Sequence, residues 1–502
     1  MNKKTTLVNI VFSLIFQIFN AFCGFFISRE ILLYFGSNIF GLTNSINQFL
    51  NYIVLLEGGI TGVIAANLYK PIVDNDNLCL SSVMVTARSF YKRIGLFLAI
   101  YTVLIGIIYP RVVNTGFENK YIFILTCALS FHLFLEYMFS ITYISLLNAD
   151  KKGYVVNIVS TFLIIGNVGL TIFVLKKYPD IIVLQFFSAL LFILKPLIFC
   201  YYIKKNYKIN WKAPIVNSLI KQRWDGFIIN FAFFIHIGTD VTVLTLMSDL
   251  ETVSVYSAYY LVISKICVVI HSIASGIEPT IGQAYAKGDN DDLCLKLDLY
   301  EFIILFFVSL LFSLTGLLVC PFVMIYTRGV TDTNYYQPLF GILLVLAEAL
   351  YLVKYPHVSL AYSANKFKEL TVPALIEAFI NILVSILLFR YLGLVGVAIG
   401  TICAMLYRMI FHIFFTNKLL HNRKPYIFIK KLLLFSVSSL LGTIICYFFI
   451  PFYSFSIISW VLHAVVYGLI LLICSVLISL IFFKKEVSSL CEYLNINFRI
   501  KG

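Results

Sequence analysis

Residues 10–28 read IVFSLIFQIFNAFCGFFIS, an uninterrupted apolar run without a charge. A helix needs about 20 mainly apolar residues to cross a bilayer, whereas the strands of a membrane barrel are shorter and alternate strictly in polarity. The run fits the helical template only, and so does FIILFFVSLLFSLTGLLVC at 302–320. The first run leads into SREILLYFG at 28–36, where Arg29 and Glu30 stand side by side before apolar residues resume.

The whole chain shares this character. Of 502 residues 61% are hydrophobic and 12% charged, with 47 Phe and 32 Tyr; soluble domains average roughly 45–50% apolar and 25% charged. The net charge of +14 does not indicate nucleic acid, because Lys and Arg fall in short breaks between apolar runs, where they act as topology signals. The eleven cysteines are scattered, with no C-x-x-C and no His/Cys cluster at ligand spacing. They read as small core residues, so no metal or cofactor is expected. The first run lacks a small-residue cleavage site and is expected to stay as a helix.

Apolar runs separated by polar breaks give 14 expected spans, at 8–28, 39–68, 94–113, 121–147, 155–175, 180–203, 224–249, 252–281, 299–326, 337–362, 371–391, 394–416, 431–451 and 455–483. On this count 27 Lys and Arg lie on one side, 7 on the other and 4 within spans. The positive-inside rule then places both termini in the cytoplasm. No break is long enough for a catalytic domain and no Walker A motif is present, so the chain carries no evident ATPase.

Spans 1–6 and 7–12 resemble each other at an offset of about 215 residues. LYKPIVDNDN at 68 parallels AYAKGDNDDL at 284, SLLNADKKGYVVNI at 145 parallels SLAYSANKFKELTVPAL at 359, and KKYPDIIV at 176 parallels RYLGLVGV at 390. GLTNSINQFL at 41 likewise parallels SVYSAYYLVI at 254. Six spans are an even number of crossings, which predicts a parallel repeat with a substrate site at its interface. The expected organisation is all-α: a six-helix lobe at 1–205, a cytoplasmic linker at 206–223, a second six-helix lobe at 224–418, and two further helices with a tail at 419–502.

With FFISREILLYFG, the following FGLTNSINQFLNYIVLLEGGITGVIAANLYK, the LLNADKKGY turn and the 6 + 6 + 2 layout, the chain resembles the Wzx-type polysaccharide flippases of the multidrug/oligosaccharidyl-lipid/polysaccharide exporter superfamily. The arginine after span 1 and the EGG of span 2 also resemble the lipid II flippase branch. That resemblance implies a pyrophosphate-handling role for Arg29 and carries Glu57 over with it.

Lys195, Lys265, Lys354 and Arg408 lie at mid-span. A cation there costs about 2.5–3.5 kcal/mol on insertion scales, so these four are expected to face protein or a watery cavity. Lys195 and Arg408 occupy equivalent depths in the two halves and form a plausible clamp for a lipid pyrophosphate. The competing reading pairs the cations with Glu57, Glu136, Asp240, Glu348 and Glu377 as interhelical ion pairs. Glu57, Asp240 and Glu348 are the candidates for ion coupling. Asn44, Asn47 and Asn51, with Gln48, make a polar stripe on span 2, suited to sugar hydroxyls or to helix packing; Asn47 and Asn51 are its candidate substrate contacts.

The expected function is a non-enzymatic flippase that carries undecaprenyl-pyrophosphate-linked oligosaccharide across a bacterial cytoplasmic membrane by alternating access. Its partners would be that lipid, membrane lipids, and a polysaccharide polymerase with its chain-length regulator. The rivals are an ion-coupled drug antiporter of the same superfamily, which favours an acid-dominated cavity, and a membrane-embedded polymerase, which needs a large external loop.

Overall fold

The computed structural model describes residues 3–57, 60–216, 238–420, 423–452 and 455–493. Among them there is no strand, and twelve helices are long and apolar enough to cross a membrane. The chain divides into two compact units, Met1–Ser254 and Val255–Gly502.

The first unit opens with α1, Lys3–Asn51, which Gly36 breaks into two helices. Gly36 sits at φ 77°, a backbone region in which a Cβ is strained, so glycine is the residue that lets the chain turn there. A 3₁₀ turn over Tyr52–Glu57 leads to α2, Ile60–Val73, and then α3, Asn77–Val112. The fourth crossing is composite: α4 (Asn119–Leu135), a π turn over Glu136–Ser140, and α5 (Ile141–Ala149). Next come α6 (Gly153–Lys177), α7 (Ile181–Phe192) and α8 (Leu194–Asn206). A helix also runs through residues 238–247 (α9).

The second unit contains most of α10 (Leu250–Lys287), then α11 (Asn290–Tyr326), α12 (Pro338–Val353), α13 (Tyr355–Ser363), α14 (Phe367–Leu392) and α15 (Leu394–Leu419). It ends with α16 (Tyr426–Phe449), α17 (Ile457–Phe482) and the short α18 (Lys484–Tyr493).

The twelve described spans differ from the fourteen expected for two reasons. Runs 8–28 and the start of 39–68 belong to one helix interrupted only at Gly36, and the run at 224–249 lies largely outside the described residues. The linker expected at 206–223 also lies partly outside them. Helices also overrun the apolar windows. The third begins at Asn77 rather than 94, because Asp76 caps it, accepting from Leu78 N and Cys79 N at 3.0 Å each.

Turns at the repeat offset share their geometry. Before α11, Asp289 caps as Asp76 does, accepting from Asp291 N at 3.0 Å and Asp292 N at 3.1 Å. The preceding residues, Asn75 and Gly288, are both left-handed, at φ 54° and 74°. In the NADKK turn, Asp150 N, Lys151 N and Lys152 N donate to the carbonyls of Leu146, Asn148 and Leu147; in the SANKF turn, Ala364 N, Asn365 N and Lys366 N donate to Leu360, Tyr362 and Ala361. Lys151 and Asn365 are left-handed at φ 57° and 53°. The mid-span breaks also correspond, the π turn at Glu136–Ser140 in one unit and the α12–α13 junction at Lys354 in the other.

Small residues set a close helix crossing in the second unit. A Cβ on Gly396 would lie 2.5 Å from the Leu388 carbonyl carbon, and one on Gly400 would lie 2.7 Å from Ser385 N. This four-residue spacing of glycines brings α14 and α15 into backbone contact, where dispersion replaces the hydrophobic effect as the cohesive force in lipid.

Candidate substrate cavity and buried charge clusters

Proline chemistry positions the first cation. Pro196 has no N–H to give the carbonyl of Phe192, four residues back, and the helix is interrupted at Ile193. Lys195 stands in the first turn of α8 and lines a cavity of about 420 Å³ inside the first unit. The wall carries Asn20, Asn47 and Asn51 from α1, His132 from α4, Ser160 from α6, and Gln185 and Ser188 from α7. Phe16 and Phe192 add aromatic rings, and the His132 and Phe192 rings pack nearly perpendicular with centroids 4.6 Å apart.

Among the described residues no carboxylate lines this cavity. The Lys195 ammonium is held from behind by Glu136 Oε1 at 2.9 Å, and the two side chains keep 14% and 28% of their surface. A pair with that residual exposure keeps part of the ammonium open on the cavity, where it can meet an anionic ligand. Lys195, Asn47 and Asn51 are thus brought together, as candidate residues of one cavity.

Glu57 belongs to a neighbouring network. Tyr137, next to Glu136 on the π turn, donates to Glu57 Oε1 at 2.6 Å, and Thr61 donates to Oε2 at 2.8 Å. Thr61 also meets the Tyr91 hydroxyl at 3.0 Å. The π turn thereby holds two carboxylates through adjacent residues, a local geometry that such bulges commonly supply at functional positions. Asp240 is 3% exposed on α9, two residues from Thr242, whose hydroxyl meets the Tyr52 hydroxyl at 2.7 Å. Arg29 is exposed on α1 and makes no ion pair among the described residues.

The second unit handles its charges differently. Arg408 is 8% exposed; its Nε lies 3.3 Å from Glu377 Oε2 and 3.0 Å from His412 Nε2, and its Nη1 is 3.4 Å from the Leu370 carbonyl. Lys354 stands at the α12–α13 break made by Pro356 and is 5% exposed. Its ammonium lies over the Tyr351 ring at 4.2 Å and 3.9 Å from Met405 Sδ. Glu348, also 5% exposed, accepts from Cys267 Sγ at 3.6 Å. Lys265 is half-buried on α10, with no ionic partner among the described residues.

A further cluster was not foreseen. Arg423 Nη2 reaches Asp298 Oδ1 at 2.7 Å and Glu301 Oε2 at 2.5 Å, and Lys431 Nζ reaches the same two oxygens at 2.7 and 3.2 Å. Glu486 lies 3.9 Å from Lys431, and His357 Nε2 lies 3.6 Å from Glu301 Oε1. Glu301 is fully buried. Burial alone would lower the Arg423 pKa, but Glu301 and Asp298 outweigh it and leave it raised. These contacts tie α16 and α18 to α11. In sequence, Arg423 and Lys431 are part of a basic break, NRKPYIFIKK, and read only as topology signals. The available hint was the pair Asp298 and Glu301, three apart and hence on one face of an otherwise apolar helix.

No family model matches this chain, and no curated protein matches it in sequence. Solved structures do match it. The lipid II flippase MurJ in an inward closed conformation aligns with a TM-score of 0.72 over 95% of this chain and 100% of its own, at 17% identity. An inward-facing MATE family multidrug resistance transporter of the MOP superfamily aligns at 0.60, over 83% and 99%, at 14% identity. A MOP superfamily transporter from Pyrococcus furiosus, described as having a binding pocket of reverse polarity, aligns at 0.54, over 81% and 96%, at 12% identity. Identities this low speak to architecture alone: the described residues are all-helical, with twelve helices long and apolar enough to cross a membrane, and they share the fold of these solved structures.

Proposed function

We propose that this protein is a flippase for undecaprenyl-pyrophosphate-linked oligosaccharide, moving it from the cytoplasmic to the outer leaflet of a bacterial cytoplasmic membrane by alternating access. The observation that carries the reading is the cavity of the first unit, where three asparagines, a glutamine and two serines surround a single lysine, with no lining carboxylate among the described residues. Amides and hydroxyls both donate and accept, which matches sugar hydroxyls, and Phe16 and Phe192 offer faces for pyranose rings. Lys195 is the anion contact nearest these groups. A drug-cation antiporter would favour acids in that wall, and none is among its described lining residues.

Glu57 and Asp240, the one held by Tyr137 and Thr61 and the other buried on α9, are the proposed ion-coupling groups of this unit. Arg29 is proposed as an outer contact for the phosphates. Lys265, Lys354, Arg408 and Glu348 are proposed to serve the same transport cycle from the second unit, with a polymerase and a chain-length regulator acting on the delivered product.

Deletion in the native host, combined with analysis of lipid-linked intermediates, tests the reading. Complete repeat units are expected to accumulate on the cytoplasmic face. Normal surface glycan in the deletion strain, or dye export with no glycan phenotype, would overturn it.

A further inference from the structure

A second cavity in the first unit, about 720 Å³, is lined by Arg88, Tyr143, Cys200, Ile203, Lys204, Tyr207, Lys208, Ile209, Asn210 and Trp211. It is built by the chain that leaves α8. Tyr207 N closes the helix on the Ile203 carbonyl, and the next residues are laid back along α3: Asn210 N donates to Ser81 Oγ and Val216 N to Thr86 Oγ1, both at 2.9 Å. Asn210 Oδ1 accepts from Lys212 N at 3.0 Å and stiffens the strap. Trp211 is thereby placed nearly perpendicular to the Tyr143 ring, centroids 6.1 Å apart, with its ring centre 4.7 Å from the Arg88 guanidinium carbon.

The charge of this cavity is not balanced from within. Arg88, Lys204 and Lys208 line it, and among the described residues no carboxylate does. The nearby acid Asp150 is already engaged by Lys152 at 2.8 Å and by the Tyr207 hydroxyl at 2.5 Å. Burial and that hydrogen bond hold the Tyr207 phenol far above its ordinary pKa, so it stays a neutral wall. Arg88 is half-buried and makes no hydrogen bond or ion pair among the described residues. A guanidinium lying over an indole with no hydrogen-bond partner among the described residues keeps N–H groups to offer in the fork that matches two phosphate oxygens. Three cations without a counter-charge repel one another, and an anion in the cavity would relieve that repulsion.

We infer that this cavity binds the phosphate of an anionic membrane-lipid headgroup, with Arg88 as the bidentate contact, Lys204 and Lys208 as point charges, and Trp211, Tyr143 and Tyr207 against the less polar part of the headgroup. The placement fits a lipid. Asn9 at the start of α1 donates to the Lys151 carbonyl, and Lys152 donates to Tyr207, so the cavity sits at the basic end of the unit. Basic pockets with tryptophan and tyrosine at such helix ends are where headgroups lie.

The test is native mass spectrometry of the full chain in detergent, with dioleoylphosphatidylglycerol, dioleoylphosphatidylcholine, undecaprenyl pyrophosphate or inorganic phosphate added in turn. Phosphatidylglycerol is expected to bind, phosphatidylcholine is not, and R88Q is expected to weaken binding about tenfold, as loss of a charge-assisted hydrogen bond does. K204Q/K208Q should weaken it as well. R88K, which keeps the charge and loses the fork, should fall between R88Q and the unaltered protein, and it keeps the test open if R88Q folds poorly. K424Q/K430Q, which removes two exposed lysines of the other unit, should change nothing. Binding of undecaprenyl pyrophosphate alone, still sensitive to R88Q, would identify the headgroup as that of the transported lipid. Equal weakening by K424Q/K430Q and R88Q, or saturation by inorganic phosphate alone, would overturn the lipid site.

Discussion

The first unit arranges its polar groups around space, whereas the second arranges them around each other. Lys195 and Glu136 keep 14% and 28% of their surface beside a cavity walled by amides. Arg408 and Glu377 keep 10% and 7%, and Arg423 and Glu301 keep 2% and none. The cavity of about 530 Å³ in the second unit is walled by residues such as Leu305, Phe312, Leu346 and Phe435, with a few serines and no charge among the described residues. A hydrated ion pair can exchange its partner for a ligand at small cost, but a dry one loses the attraction that offsets its desolvation. Under the proposed function, the Lys195–Glu136 pair of the first unit is placed to serve recognition, while the Arg423–Glu301 pair of the second holds helices together.

Substitutions that move one unit toward the other's behaviour would break the comparison. The largest effect is expected from Arg423→Ala, which leaves Glu301 buried with fewer partners and costs about 3–5 kcal/mol. Loss of monodisperse protein on size-exclusion chromatography, with a lowered melting temperature, is the readout; an unchanged melt would mean that the cluster is solvated.

Next comes Lys195→Gln combined with Glu136→Gln, which keeps a hydrogen bond and removes both charges. Glycan delivery to the surface should fall at least about tenfold, the loss of one charge-assisted contact, while the melting temperature stays near that of the unaltered protein. Normal delivery would make the pair structural. A smaller loss of stability, about 1–3 kcal/mol, is expected from Gly400→Val, because the added atoms meet the backbone of Ser385.

The smallest effects sharpen the contrast. Asn51 is exposed on the cavity wall, and Asn51→Ala should lower delivery severalfold, with stability within about 0.5 kcal/mol. Lys354→Met replaces a buried ammonium that already contacts a thioether and a ring, so stability should hold or rise, as when buried charges give way to apolar side chains. A melt that drops sharply would show that Lys354 is satisfied by acids after all.

The legible and the hidden parts of this molecule divide along the same line. Apolar runs exposed the helices, since lipid demands that each segment satisfy its own backbone. The stretches around Asp76 and Asp289 and the NADKK and SANKF turns were visible as matching strings, because turn geometry is local, but that the two aspartates cap helices emerged only from the structure. A break between residues 28 and 39 was legible from Arg29 and Glu30; that the helix runs on through both and is interrupted only at Gly36 was not. The polar stripe of α1 was legible as a stripe; that Asn47 and Asn51 share a wall with Gln185 on α7 was not, because the contact joins helices far apart in sequence. Lys430 and Lys431 look alike as text, yet the first is exposed and the second is 2% exposed in an ion cluster.

The sequence by itself determined that this chain is helical, with segments apolar enough to span a membrane, which of its turn strings match, and that four cations at mid-span needed shelter. Those properties arise from transfer energies and local hydrogen bonding, which act over a few residues. Only the tertiary structure decided which cations face a cavity and which are locked into pairs. That outcome depends on which helices meet and how much water remains between them, and neither is written in any one segment.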